Sequence, residues 1–405
     1  MFSEIKSKIL AEYEQAEEAS VISLVSLVIE HAHMACASDI HIDPFEEGLI
    51  FRFRVDGMLY KIFSLPRTIH QEVISRIKIL SGLRTDEHQS AQDGRFRHVK
   101  GSDCIDVRVS IVPTYYGENA VLRLLSERLE NGSLETLGFT EKNLEKIKLA
   151  VKKPFGMILV TGPTGSGKTT TLYALLKYLN LPEISIVTIE DPIEYSLPGI
   201  EQIQVNPKTG LSFANGLRSI LRQDPNVIMV GEIRDNETAG IAVNVALTGH
   251  LLLSTLHTND PATTLPRLLD MKIESYLVAS TVNIAVGQRL LRKICSHCKV
   301  SKVLQKSEKE SLAGIYGKEA IGDFLFEGKG CENCSGTGYK GRLPVHEVLQ
   351  VTEKVRLAIL QKRTAGEIKN IALSEGMLSM EDDALFKARQ GLTSFEEILR
   401  LKLEW

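Results

Sequence analysis

The sequence has no long hydrophobic run, a single tryptophan, no excess of either charge and few cysteines. Each shortage excludes something. The longest apolar stretches are short: Val21 to Ile29 is broken by two serines, and Leu251 to Leu253 ends at Ser254. A membrane-spanning helix needs about 20 consecutive apolar residues, so none is expected. The N-terminus, MFSEIKSKILAEYEQAEEAS, is charged and amphipathic and has no signal-peptide core, which predicts a cytosolic chain. Aromatics make up 6%, and Trp405 is the one tryptophan, so base-stacking platforms are not advertised. Lys and Arg number 48 against 51 Asp and Glu, for a net charge of -3. That balance supplies no global drive toward nucleic acid or anionic lipid. Six cysteines in 405 residues are too few for a disulfide scaffold. What is present, 43% hydrophobic and 24% charged residues, is an ordinary globular composition and excludes disordered and fibrous classes. At about 150 residues per domain the length suggests two or three folding units.

Residues 1–20 read as a polar helical extension. Ser23 to Ala35 has helical apolar spacing, and the pattern then changes to alternation. Leu49, Phe51, Phe53 and Val55 face one way, Arg52 and Arg54 the other, and Asp56-Gly57 marks a hairpin turn. Met58 to Phe63 is the return strand, Thr68 to Leu80 a helix, and QDGRFRHVKGSDCIDVRVSIVPT supplies further strands. Residues 21–127 therefore read as a small α+β domain, and the polar stretch 128–135, with Asn131-Gly132, as a hinge. Beyond it, strand, loop and helix alternate: Met157 to Val160, Thr169 to Leu179, Ser185 to Ile189, Val227 to Val230. That texture predicts a mostly parallel sheet covered by helices over residues 136–405, helix-rich beyond about 340. No solenoid repeat or low-complexity stretch is present.

GPTGSGKT, Gly162 to Thr169, fits G-x-x-x-x-G-K-[ST], with a strand before it and a helix after it. Gly162, Gly165 and Gly167, with Pro163, Thr164 and Ser166 between them, allow a tight loop whose backbone N–H groups converge on phosphate oxygens. The helix that opens with Lys168, Thr169 and Thr170 adds its positive N-terminal end. Lys168 would reach the β- and γ-phosphates of a bound nucleotide, and the Thr169 hydroxyl would ligate Mg²⁺. The companion acid is Glu232, just past the apolar strand Val227 to Val230, at the edge where open α/β sheets bind ligands. Gly231 replaces the usual metal-binding aspartate, so Glu232 is expected to orient or deprotonate the attacking water. TIEDPIEY offers a second cluster. Asp191 also fits an N-cap and Glu194 a surface charge, which leaves Glu190 as the stronger functional choice. His250 and His257 flank LLLSTL without metal-ligand spacing, and the residues alone leave structural and catalytic roles open for both.

Cys36 and Cys104 stand alone, but Cys295-x-x-Cys298 and Cys331-x-x-Cys334 form two pairs that can close a tetrahedral thiolate site. Glycine turns after Cys334 support a zinc knuckle stapling a subdomain over residues 290–342. Four unrelated buried thiols are the bland alternative. His297 lies inside the first pair and is not expected to be a ligand.

The combined set resembles the secretion-superfamily ATPases that power type II secretion and type IV pilus assembly, the GspE/PilB type. The matching strings are ASDIHIDP, RFRVDGML, SRIKIL, QDGR, DVRVS, GPTGSGKTTTLY, TIEDPIEY, LRSILRQDPNVIMVGEIRD, TGHLLLSTLHTND and the two CxxC pairs, from residue 37 to about 350. The resemblance implies an α/β architecture: a RecA-like P-loop ATPase domain preceded by a small α+β, PAS-like domain, with a zinc-binding insert. It further implies a homo-hexamer that hydrolyses ATP with Mg²⁺ at the cytoplasmic face of the bacterial inner membrane. Partners would be inner-membrane platform and recruiting proteins, with membrane association only through them and no nucleic acid. By that likeness TIEDPIEY is an aspartate box, Gly231-Glu232 an atypical Walker B end, and His250 and His257 a histidine box. Arg108 and Arg123 match arginines presented to bound nucleotide, Leu137 lies where adenine is walled, and Arg218 and Arg222 share a helix face toward phosphates or an interface. ASDIHIDP begins already at Ala37, so the family's further N-terminal docking domain is expected to be absent, in a short natural member or a shortened piece. Rival readings are a nucleic-acid translocase or conjugation ATPase on the same core, and a scaffold that binds nucleotide without hydrolysis. Neutral charge disfavours the first; intact Lys168, Thr169 and Glu232 disfavour the second.

Overall fold

A computed structural model describes residues 2–15, 21–100, 103–125, 132–316 and 324–403. Contacts divide the chain into two compact units, residues 1–130 with 330–340, and residues 131–329 with 341–405. The first four residues of the expected hinge, 128–131, lie outside the described residues.

The first unit runs α1 (Phe2–Gln15), α2 (Val21–Met34), β1 (Ala37–Phe45), β2 (Gly48–Val55), β3 (Met58–Leu65), α3 (His70–Leu80), β4 (Gln92–Lys100), β5 (Asp103–Thr114) and β6 (Gly117–Leu125). Its strands form one sheet, β3-β2-β1-β6-β5-β4, antiparallel at every pairing. Period-two alternation builds it: Leu49, Phe51 and Phe53 are fully buried, while Arg52 and Arg54 meet Asp43 and Asp39 on the other face. At the hairpin Asp56 and Gly57 have φ of +49° and +86°, the two positive values a two-residue type I′ turn demands. Helices α2 and α3 contribute Leu24, Val28, Ile29, Val73, Ile74 and Ile77 to the core on the apolar face. The first helix is more than a polar extension. Ile5 and Ile9, four apart and so on one helix face, are buried in this same core.

The second unit holds a seven-stranded sheet and its helices. In chain order these are α4 (Glu141–Val151), β7 (Gly156–Thr161), α5 (Lys168–Leu179), β8 (Ile186–Glu190), β9 (Glu201–Gln204), α6 (Phe213–Ile220), β10 (Val227–Val230), α7 (Asn236–Leu247), β11 (Leu251–Leu256), α8 (Pro261–Asp270), α9 (Ser275–Thr281) and β12 (Val282–Ile294). There follow β13 (Lys299–Val303), α10 (Lys306–Tyr316), β14 (Phe324–Gly328), β15 (Tyr339–Gln350), α11 (Glu353–Leu360), α12 (Ala365–Ser374), α13 (Met380–Arg389) and α14 (Phe395–Leu403). The sheet order is β15-β12-β7-β11-β10-β8-β9, and the pairings from β12 to β9 are parallel. Alternate residues of β7 feed two cores, Met157 and Leu159 one, Ile158 and Val160 the other. That is why its sequence reads as continuously apolar. Residues beyond 340, expected to be helix-rich, open with β15, the sheet's edge, before four helices. Pro344 and the charges of YKGRLPVHEVLQ mask the strand, and an edge is where a strand tolerates proline. The antiparallel pair β13-β14 stands apart from the large sheet.

Candidate nucleotide site and cysteine cluster

Between β7 and α5 the chain must turn through six residues, and glycine makes the turn possible. Gly162, Gly165 and Gly167 have φ of +143°, +78° and +87°. Contact constrains two of them further. A Cβ on Gly162 would lie 2.3 Å from the Gln288 carbonyl oxygen, and one on Gly167 2.8 Å from Gln288 Nε2, whereas Gly165 has nothing within 4 Å. The loop therefore leans on β12 and stays open around Gly165, a cradle suited to phosphate. Lys168 folds back over it, its Nζ donating to the carbonyls of Gly162 (2.8 Å) and Pro163 (3.0 Å). Burial pushes the Lys168 ammonium down from its ordinary range, and the charge of Glu232 opposes that shift. Pro163 and Thr164 are exposed on the loop, Thr169 and Thr170 half-buried in the first helical turn. Ser166 is buried, and its Oγ has no hydrogen-bond partner among the described residues.

Glu232 stands just past β10 and is 9% exposed. Its Oε2 accepts from His257 Nε2 at 2.9 Å and from Arg234 Nε at 2.6 Å. That bond to Glu232 is also what raises the Arg234 guanidinium further above its ordinary value. At Gly231 a side chain would press on β8, 3.3 Å from the Ile189 carbonyl and 3.4 Å from Glu190 Cα. A side chain in place of Gly231 would thus crowd the β8 backbone by a few tenths of an ångström.

The two histidines part company. Strand β11 pairs residue for residue with β7, Leu251 opposite Gly156 and Leu256 opposite Thr161. His257 therefore leaves the strand at the phosphate-loop edge, and His250 enters at the far edge, roughly 20 Å away at about 3.3 Å per residue. His250 Nδ1 instead reaches the Val245 carbonyl, 3.3 Å away in the last turn of α7.

Glu190 is 3% exposed and enclosed by donors: Thr188 Oγ1 (2.6 Å), Gln202 Nε2 (3.1 Å) and the Tyr173 hydroxyl. Burial, with the Glu190 charge adding to it, pushes the Tyr173 phenol up. Arg218 donates to Glu237 Oε1 (2.6 Å) on α7, and Arg222 to the Arg218 carbonyl (3.1 Å) and Ser219 Oγ (3.0 Å). Leu137 is buried beside Gly138 (φ +69°), and Phe139 stacks on His346 with ring centroids 3.8 Å apart. Arg108 and Arg123 belong to the first unit, directly opposite each other on β5 and β6, with Arg95 opposite Arg108 on β4. Arg123 Nε meets Asp39 Oδ1 at 3.0 Å.

The structure thus brings Lys168, Glu232 and His257 to one sheet edge, sets Arg108 beside Arg123, and leaves His250 at the opposite edge. The sequence reading overlooked Gln288, Arg234 and Tyr173. For Gln288 the sole signal was a polar residue midway along the apolar strand VNIAVGQRLLRKI.

One candidate ligand atom from each of Cys295, Cys298, Cys331 and Cys334 lies within 4.8 Å of the others, and Cys331 Sγ is 3.7 Å from Cys334 Sγ. Zinc–sulfur bonds of 2.3 Å in a tetrahedron separate sulfurs by roughly 3.8 Å, so the donor set fits zinc. Backbone N–H groups of Cys331 (3.1 Å) and Gly338 (3.3 Å) donate to Cys334 Sγ, as outer-shell donors do for bound thiolate. Ser335, Gly336 and Gly338, all at positive φ, turn the chain around it. His297 is exposed and outside the cluster.

A glycine loop from strand to helix, with a hydrogen-bonded carboxylate two strands away on the same edge of a parallel sheet, defines a P-loop nucleotide protein. Comparison with known proteins narrows the class. The family described as type II/IV secretion system protein matches residues 14–400, and the chain belongs to it, as its motifs indicated. It is 45% identical over 392 residues to the type IV pilus assembly ATPase PilB of Thermus thermophilus, covering 96% of this chain and 44% of that one. It is 46% identical over 387 residues to the type II secretion system protein E of Xanthomonas campestris pv. campestris, covering 95% and 68%. The solved structure of the pilus retraction motor PilT with bound ADP is similar with a TM-score of 0.62 at 27% identity, over 93% of this chain and 96% of that one. The chain thus spans less than half of the Thermus relative's length. Among the described residues no helix is long and apolar enough to cross a membrane.

Proposed function

We propose that this chain is an ATP-hydrolysing motor for type II secretion or type IV pilus assembly, a RecA-like unit preceded by a PAS-like one, working as a homo-hexamer. The observation that carries it is the Glu232 carboxylate, held by His257 and Arg234 at the sheet edge where Lys168 closes the glycine loop. Backbone N–H groups of residues 162–168 bind the β- and γ-phosphates, and Lys168 swings from its carbonyls to the phosphate oxygens. Thr169 would hold Mg²⁺, which neutralises phosphate charge when bound. With Oε2 engaged by two donors, Oε1 of Glu232 is the oxygen left to take a proton from water as its oxygen attacks the γ-phosphorus and ADP departs. Leu137 walls the adenine. Arg108 and Arg123 stabilise charge on the transferring phosphoryl group, and residues 128–135 are the hinge that lets them act. Glu190 holds β8, β9 and α5 in place around the site, Arg218 and Arg222 serve phosphate or a neighbouring protomer, and His250 anchors the far end of β11. Zinc sits on the four cysteines. Work is delivered to inner-membrane platform proteins at the cytoplasmic face.

Glu232→Gln tests this reading. Turnover should fall at least 100-fold while ATP still binds, because the amide cannot accept the proton; unchanged hydrolysis would sink the proposal. Stimulation of wild-type turnover by DNA would favour the translocase reading instead.

A further inference from the structure

We infer that Gln288 is a positioning residue for phosphate binding, a side-chain strut from β12 that presets the backbone of the glycine loop. Register puts it there. The β12–β7 ladder ends at Gly287 opposite Thr161, so Gln288 lies level with Gly162, the first loop residue. It is 2% exposed, and both ends of its amide are used. Nε2 donates to the Ser166 carbonyl at 2.8 Å, and Oε1 accepts from Thr171 Oγ1 at 2.6 Å. The Ser166 carbonyl can only accept, so that bond fixes which end of the amide is which, and the Thr171 hydroxyl supplies the other.

The consequence follows from peptide geometry. In a trans peptide the carbonyl of one residue and the N–H of the next point in opposite directions. Anchoring the Ser166 carbonyl on Gln288 therefore aims the Gly167 N–H away from β12 and into the loop, where phosphate oxygens are to sit. The bond to Thr171 holds the first turn of α5 against the same strand, so loop and helix start are braced together. Two glycines of the loop also pack on this residue: a Cβ would come 2.3 Å from its carbonyl oxygen at Gly162 and 2.8 Å from its Nε2 at Gly167. A preset donor binds phosphate without reordering the loop, and affinity improves by the ordering cost avoided.

The inference rests on the ATP-binding reading of the loop, and the experiment separates the two. Gln288→Met keeps length and volume without donor or acceptor. Gln288→Glu keeps the Thr171 partner and sets a carboxylate against the Ser166 carbonyl and the phosphates. Equilibrium binding of ATP and ADP, KM, kcat and apo-protein melting are measured for both, with Lys168→Ala alongside. We expect Gln288→Met to raise both Kd values and KM about tenfold, with kcat at saturation within about twofold of wild type. Gln288→Glu should bind still more weakly. Adding Thr171→Val to Gln288→Met should cost little more, because both act through one strut. If Gln288→Met melts lower yet binds both nucleotides as wild type does, while Lys168→Ala loses binding, the strut is structural only and the inference fails. If Lys168→Ala also binds normally, the loop reading falls and the inference with it.

Discussion

At the scale of single residues the informative contrast is between His257 and His250, seven positions apart in one motif. His257 donates to a carboxylate with one oxygen left for chemistry, while His250 reaches a helix-end carbonyl at the other edge of the sheet. Removing a donor that orients a general base costs transition-state positioning, whereas removing a terminal helix bond costs stability. His257→Ala is therefore expected to lower kcat by roughly 10- to 100-fold with little change in KM. His250→Ala should leave kcat within about twofold and lower the melting temperature by the few degrees that about 1 kcal/mol represents. Steady-state kinetics and a thermal scan on the two variants decide it. The histidines are alike in sequence, and no residue count reveals that the strand between them carries one away from the site. Only the parallel pairing with β7 does that. Glu232 was legible because a carboxylate ending an apolar strand has few other uses. Gln288 was not, because its role depends on a neighbour more than a hundred residues earlier in the chain.

At the scale of elements, β15 carries a cluster that the sequence hides behind proline and charge. His346 is wholly buried, stacked on Phe139, with neither ring nitrogen hydrogen-bonded among the described residues and the Asp383 carboxylate 4.0 Å away. Burial, with the nearby Lys387 charge, holds its imidazole well below the ordinary 6.5. In the unfolded chain the same ring protonates near 6.5, so below that pH the unfolded state binds more protons and stability falls as pH falls. One such group contributes a slope of about 1.4 kcal/mol per pH unit. Burial pushes the Asp383 and Glu347 carboxyls up, which works in the opposite sense. The decisive quantity is therefore wild type minus His346→Phe, in which the carboxylate terms largely cancel. That difference in melting temperature should widen steadily from pH 7 to pH 5.5, the variant being the more acid-resistant; a constant difference would refute the assignment. The cysteine element makes a separate prediction. The β13-β14 pair is tied to α14 by Lys302, which lies 2.9 Å from both Glu308 and Glu396, and such partly exposed pairs stabilise little. Leu304 and Leu325 of the insert also pack in a core with Leu291, Phe395 and Ile398, and a metal on the four thiols would add a staple to that packing. About one zinc per chain is expected from elemental analysis, and Cys298→Ser should lose the metal and lower the melting temperature.

At the scale of the whole molecule the question is why a sheet with no phosphate loop carries so many like charges in a row. Arg54, Asp39, Arg123, Arg108 and Arg95 occupy one rung across β2, β1, β6, β5 and β4. The single carboxylate is shared, 3.5 Å from Arg54 Nε and 3.0 Å from Arg123 Nε. Like charges directly opposite in an antiparallel pair are destabilising by several tenths of a kcal/mol, so Arg95, Arg108 and Arg123 repel one another along the rung. On the proposed reading an anionic ligand would use that row, because guanidinium groups spread along a phosphate chain turn a repulsion in the free unit into attraction in the bound one. The two explanations predict different kinetics for the same variant. If the rung serves phosphate, Arg108→Ala in the intact chain lowers ATP turnover about tenfold or more, although the loop, Lys168 and Glu232 all belong to the other unit. Turnover is compared well below the melting temperature of the variant, so that a loss of activity is not a loss of fold. If the rung serves only the fold, the same substitution lowers the melting temperature and leaves kcat alone. Kinetics and melting on one purified variant separate the cases, and a loss of turnover without a loss of stability shows that catalysis in one unit depends on a residue of the other.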